Sequence, residues 1–312
     1  MTKTISERLD NISYSEKEIP KLYEIFNSIE KNSFPIIRFY IDEGAWLIRQ
    51  RINNSGKGFK NISELSYPPV EYCKNYGRAN IPFHPMFYCC SFATDTDAPE
   101  PRYTTLLETS IFVMDKETIG IERVTCSRWD VKEKLNLLAL PFSDNYERTF
   151  DDIIQIQEEW NKEVKKADVN RTALELIEYM SEEIAKETTG NIQYLKIANF
   201  IFFLLYLNSK TKSADGIIYP SVAAAGEGFN VVLKPEVVDR KLKFYAAALC
   251  YLVKNKMEAR LDVVSQAIGC SEDGNLTFEL EKDFDITKYK NYVFINESTP
   301  RTSSFQVQVD QM

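Results

Sequence analysis

Five short stretches of the chain carry side chains that could act together on one ligand. They are Gly77-Arg78-Ala79-Asn80, Tyr88, Glu108 at the end of Thr104-Thr105-Leu106-Leu107, Tyr219-Pro220-Ser221, and Gly228-Phe229-Asn230. Between them they supply a guanidinium, a phenol, a carboxylate and small polar groups. A guanidinium grips phosphate bidentately and stays charged at every working pH. A carboxylate beside a sugar stabilises oxocarbenium character more in the transition state than in the ground state. The set suits a phosphorylated glycoside whose anomeric bond breaks with positive charge on the ring.

Taken singly, each residue has a plainer reading: Arg78 as an ion-pairing arginine, Tyr88 as a core tyrosine, Glu108 as half of a buried ion pair, Ser221 and Asn230 as turn residues. Other chemistries find less support. The only histidine is His84, and Cys73, Cys89, Cys90, Cys126, Cys250 and Cys270 show no CxxC or His-partnered spacing, so no metal is expected. Gly56-Lys57-Gly58 lacks the remainder of a P-loop, and Gly226-Glu227-Gly228 is too degenerate for a nucleotide loop.

The elements that must position these groups follow from periodicity. Residues 15–32 place Leu22, Ile25, Phe26 and Ile29 at helical spacing. Strands are expected within Ile36–Ile52, Pro82–Cys90, Thr118–Trp129, Gly216–Tyr219 and Asn230–Leu233. From 145 to 209 the pattern turns helical, with Asp151 and Asp152 at one start, a cap within Asn170–Thr172 at another, and Leu174, Ile177, Ser181 and Ile184 on one face. Ile197–Leu207 reads as a core helix, too short to cross a bilayer. The expected fold is mixed α/β, of the α+β kind, its sheet built from strands distant in sequence.

Length and charge narrow the rest. A chain of 312 residues, 44% hydrophobic, can bury one large core. A formal charge of −8 opposes a nucleic-acid partner. The residues from Met1 to Arg8 lack a basic head followed by an apolar run, so the cytoplasm is the expected location, with reduced thiols and no membrane span.

In their order and spacing the five stretches resemble the RES domain family, named for its Arg, Glu and Ser residues. Arg49-Gln50-Arg51 is similar to the family's early Arg-x-Arg strand, and the resemblance spans roughly residues 39–240. It implies an ADP-ribosyltransferase-like mixed sheet with an inserted helical block, and NAD as substrate with no further cofactor. The nicotinamide-ribose bond would break with water, phosphate or a protein as acceptor, an acceptor that sequence does not choose. On this reading Glu108 stabilises the cationic ribose as the catalytic carboxylate. Arg78, with Arg49 or Arg51, clamps the pyrophosphate; Tyr88 packs on nicotinamide or ribose; Asn80, Ser221 and Asn230 bind the substrate. A toxin role is common among compact members, so for this longer chain the resemblance leaves a toxin-antitoxin setting with an antitoxin partner as one expectation. The rival reading is a module that keeps the fold and binds without turnover.

The resemblance divides the chain into an N-terminal helical segment (1–38), the main domain (39–240) and a C-terminal extension (241–312) packed on it, with a polar tail from Thr302. The interval from Tyr88 to Glu108 is 20 residues (108 − 88 = 20), longer than in compact members. Within it, Thr94–Tyr103 reads as a turn-rich insertion placed to narrow or cover the pocket.

Overall fold

The computed structural model describes residues 3–30, 35–53, 58–91, 101–115, 117–141, 151–166, 168, 170–186, 190–221, 223–224, 228–256, 258–282 and 293–294. In chain order the elements are α1 (Ile5–Asp10), α2 (Ile19–Glu30), β1 (Ile37–Ile41), β2 (Trp46–Ile52), α3 (Ile62–Leu65), β3 (Phe87–Ser91), α4 (Pro101–Thr109), α5 (Ile111–Met114), β4 (Gly120–Val131) and β5 (Leu135–Ala139). They continue with α6 (Asp151–Val164), α7 (Arg171–Ala185), α8 (Leu195–Phe202), β6 (Gly216–Pro220), β7 (Phe229–Leu233), α9 (Pro235–Lys241), β8 (Leu242–Lys254), β9 (Ala259–Cys270), β10 (Leu276–Phe278) and β11 (Val293–Phe294).

The strands join in the order β1-β5-β6-β7-β3-β2-β4-β8-β9-β10, with β11 added on β4. Pairing is mostly antiparallel; β5 with β6 and β4 with β11 run parallel. Sequence-distant strands thus meet, as a mixed α/β fold requires. Residues 242–270, expected in an extension packed on the domain, supply β8 and β9 of the sheet itself, and β8 pairs with β4 from Gly120 to Val131.

The helices bury the faces their periodicity marks. Leu22, Ile25, Phe26 and Ile29 of α2 are all buried, and Phe26 packs on Phe200 and Phe203 with ring centroids 5.5 Å apart in both pairs. In α7 the Asn170 side chain accepts from the Thr172 and Ala173 amides, which satisfies donors that a helix start leaves unpaired. Leu174, Ile177, Ser181 and Ile184 are buried beneath it. Residues Phe203–Leu207 continue α8 as a single π turn. These helices and the strands β1, β3, β5, β6 and β7 share one large core. Among the described residues no helix is long and apolar enough to cross a membrane.

Two expectations shift. The strand expected over Pro82–Cys90 begins at Phe87, because Pro82 and Pro85 have no N–H to give a ladder and Phe83 turns to a φ of +63°. Of the insertion expected over Thr94–Tyr103, residues 94–100 lie outside the described part; Pro101–Tyr103 form the first turn of α4, a position proline favours. The tail from Thr302 also lies outside it.

Candidate functional site

The site opens where the sheet divides. β2 and β3 pair only at Leu47 with Ser91 and Ile48 with Cys90. Beyond that, β2 follows β4 through Ile52 while β3 follows β7, so the two halves of the sheet part. The gap forms a cavity of about 530 Å³. Arg49, Arg51, Arg78, Asn80, Tyr88, Glu108 and Asn230 all line it. Segments more than 180 residues apart in the chain (230 − 49 = 181) therefore meet at one place.

Glu108 stands at the end of α4, and α4 is fixed from two sides. The Gln50 amide of β2 donates to the Arg102 carbonyl at 3.1 Å. Gly228 lets the other side close up: its φ is +112°, and a Cβ there would stand 2.6 Å from the Thr104 hydroxyl. So placed, Glu108 accepts through Oε1 from the Ser221 hydroxyl at 2.6 Å, the Asn230 amide at 2.8 Å and the Ala223 backbone N–H at 3.4 Å. Its Oε2 takes no partner among the described residues. The Cys90 thiol donates to Asn230 Oδ1 at 3.5 Å, which turns the amide nitrogen toward Glu108. Burial, with Cys89 and Glu108 nearby, raises the Cys90 thiol well above its ordinary value, so it remains a donor.

The turn at Gly77 supplies the opposite wall. The Gly77 N–H donates to the Asn80 carbonyl, and the Tyr88 hydroxyl sits inside the turn, accepting from the Ala79 N–H at 2.9 Å and donating to Asn80 Oδ1 at 2.8 Å. Only glycine fits at position 77, since a Cβ would meet Asn80 Oδ1 at 2.2 Å. Burial raises the Tyr88 and Tyr219 hydroxyls well above the ordinary tyrosine value, so both stay protonated.

The three arginines are tied mostly to backbone oxygens. Arg49 donates to the Leu65 carbonyl at 3.1 Å and the Tyr88 carbonyl at 2.6 Å, and lies 5.2 Å over the Phe87 ring. Burial, aided by the nearby Arg51 charge, lowers it to about 10, which leaves it cationic at neutral pH. Arg51 donates to the Glu64 carbonyl and stacks on Phe59; burial lowers it as well. Arg78 donates to the Ile184 and Lys186 carbonyls and so caps the carboxyl end of α7. Its guanidinium carbon lies 5.2 Å over the Tyr194 ring. Among the described residues, three guanidiniums against one carboxylate give the lining a formal charge of +2 (3 − 1) in a chain of −8. Such a cavity favours an anion.

Seven of the eight residues singled out in the sequence thus line one cavity. Ser221 does not: it is fully buried and reaches Glu108 from behind. Asn80 and the Tyr88 hydroxyl spend their polar atoms on the turn, so a ligand meets the Tyr88 ring rather than a free phenol. Gln50 and Thr105, which stand within the Arg49–Arg51 and Thr104–Glu108 stretches, also line the cavity, as do Cys90 and Tyr194, which no spacing in the sequence marks. Among the described residues no group of His, Cys, Asp and Glu is placed to hold a metal ion. No protein-family model matches the chain, and no curated protein matches it.

Proposed function

We propose that the chain cleaves NAD at the nicotinamide-ribose bond. The observation that carries this reading is Glu108, held through Oε1 by Ser221 and Asn230 at the wall of a cavity with three arginines. In this reading the divided sheet is the ADP-ribosyltransferase-like arrangement that the RES resemblance implies. Arg78, Arg49 and Arg51 draw the pyrophosphate, whose charge suits the +2 lining. The C1′–N bond breaks with its electron pair passing to the pyridinium nitrogen, so nicotinamide leaves neutral and needs no acid. Positive charge then develops on the ribose, and the fixed Glu108 carboxylate stabilises it without reorganising. An oxygen of water, phosphate or a protein side chain closes the bond to C1′; a water or hydroxyl oxygen passes its proton to solvent, and an anionic oxygen has none to lose. A chain with one histidine can carry out this sequence.

Incubation of the purified chain with NAD, with and without phosphate, tests the proposal by chromatography of nicotinamide. Release is expected. Glu108→Gln keeps the Oε1 acceptor and is expected to lower turnover at least about a hundredfold with NAD affinity nearly unchanged. Arg78→Lys is expected to weaken affinity, since an ammonium cannot replace the planar fork. NAD that stays intact with water, phosphate and cell extract each offered refutes turnover, and NAD bound but uncut would leave the binding module.

A further inference from the structure

One aromatic wall of the cavity has no part in the chemistry above. Tyr194 ends the short 3-10 turn Asn191–Tyr194 and stands at the start of α8, where its side chain makes no capping hydrogen bond. The residues that follow it, Leu195, Lys196 and Ile197, are all buried, so the ring is carried on a rigid base. The ring is half-buried and lines the cavity with the Arg78 guanidinium over it. Tyr219, by contrast, is buried at 3% exposure, and Tyr88 is locked into the Gly77 turn.

An aromatic ring that carries a guanidinium on one face can read a base and its own phosphate together: the base stacks on the ring's other face, and the cation takes the phosphate. The charge of the base decides which end of NAD belongs there. The π density of Tyr194 is already drawn by the Arg78 cation, so a second cation against the same wall, the nicotinamide ring of NAD, is disfavoured, whereas a neutral purine is not. Resting on the NAD reading, we propose that Tyr194 is the platform for the adenine base and makes the site selective for adenine nucleotides. The nicotinamide end is then directed toward Glu108.

Calorimetric titration of the full chain with AMP, ADP-ribose, nicotinamide mononucleotide and ribose 5-phosphate tests this. Tyr194→Phe is expected to bind all four within about twofold of wild type, because the stacking face remains. Tyr194→Leu fills similar space without a π face and is expected to lose about tenfold for AMP and ADP-ribose alone. An unchanged AMP affinity in folded Tyr194→Leu overturns the proposal. So does an equal loss for ribose 5-phosphate or nicotinamide mononucleotide, since Tyr194 would then only prop Arg78. A wild-type chain that binds no AMP or ADP-ribose yet cleaves NAD overturns the proposal alone, whereas one that binds none of the four and leaves NAD intact refutes the NAD reading beneath it.

Discussion

Replacing Asn230 with Asp changes one donor into an acceptor and almost nothing in shape. In the native chain the Asn230 amide donates to Glu108 Oε1 at 2.8 Å, with Ser221 donating to the same atom at 2.6 Å. In Asn230→Asp two carboxyls face each other at that separation, and two negative charges about 4 Å apart repel by about 4 kcal/mol at an effective dielectric near 20. The pair therefore keeps one proton, which restores the hydrogen bond while it is bound. Carboxyls of the unfolded chain release theirs near pH 4. The folded variant thus holds more protons than the unfolded one from about pH 4 up to the titration of the pair, and its stability falls across that window. A proton held about a hundredfold to a thousandfold more tightly costs the variant roughly 3 to 4 kcal/mol above the window. Urea unfolding of variant and wild type at pH 4.5 and 7.5 measures this as a difference of differences. The variant should lie close to wild type at the lower pH and well below it at the higher one. An equal loss at both values, or none at pH 7.5, would show that Asn230 does not hold Glu108 by donating to it.

The Gly77 turn is expected to reject any side chain: Gly77→Ala should lose about 1 to 3 kcal/mol in urea unfolding, because the new Cβ would overlap Asn80 Oδ1. Unchanged stability would mean that the turn relaxes freely. The six cysteines are free, five of them buried and Cys270 exposed. An aromatic disulfide reagent should therefore label one thiol per native chain quickly and six in denaturant, and a second fast thiol would contradict the burial.

What could be read from the sequence was whatever is encoded locally. Helix α2 announces itself through Leu22, Ile25, Phe26 and Ile29, and α7 through Asn170, because a helix face and a cap each need only neighbouring residues. Residues 242–254 could not be read in this way. The middle of that segment, Ala246-Ala247-Ala248-Leu249, has no strand alternation or β-branching of its own, and it becomes β8 because twelve residues of β4 offer it partners. The positions of Arg78, Tyr88, Glu108 and Asn230 came from recurring motif order, whereas Tyr194 and Cys90 have no such order around them. A lone tyrosine or cysteine acquires a place in the site only when the fold brings a cavity to it.

The direction in which each polar group points was the least legible property. Ser221 and Asn230 were expected to face a ligand, and both donate to Glu108 instead. The reason lies in burial. A carboxylate drawn into a partly closed cavity needs donors to replace water, and a short hydroxyl and an amide at the ends of β6 and β7 are within reach of α4. Because these donors converge on Oε1, they hold the plane of the carboxylate while making no demand on Oε2 among the described residues. A group that must meet a charge developing on a ligand benefits from that division: one oxygen fixes the orientation and the other stays available. The residues that sequence order groups together thus divide by task. Arg49, Arg51 and Arg78 set the charge of the cavity, Asn80 and Tyr88 build its turn, and Ser221 and Asn230 hold the Glu108 carboxylate, while Cys90, which no motif marks, turns the Asn230 amide toward it.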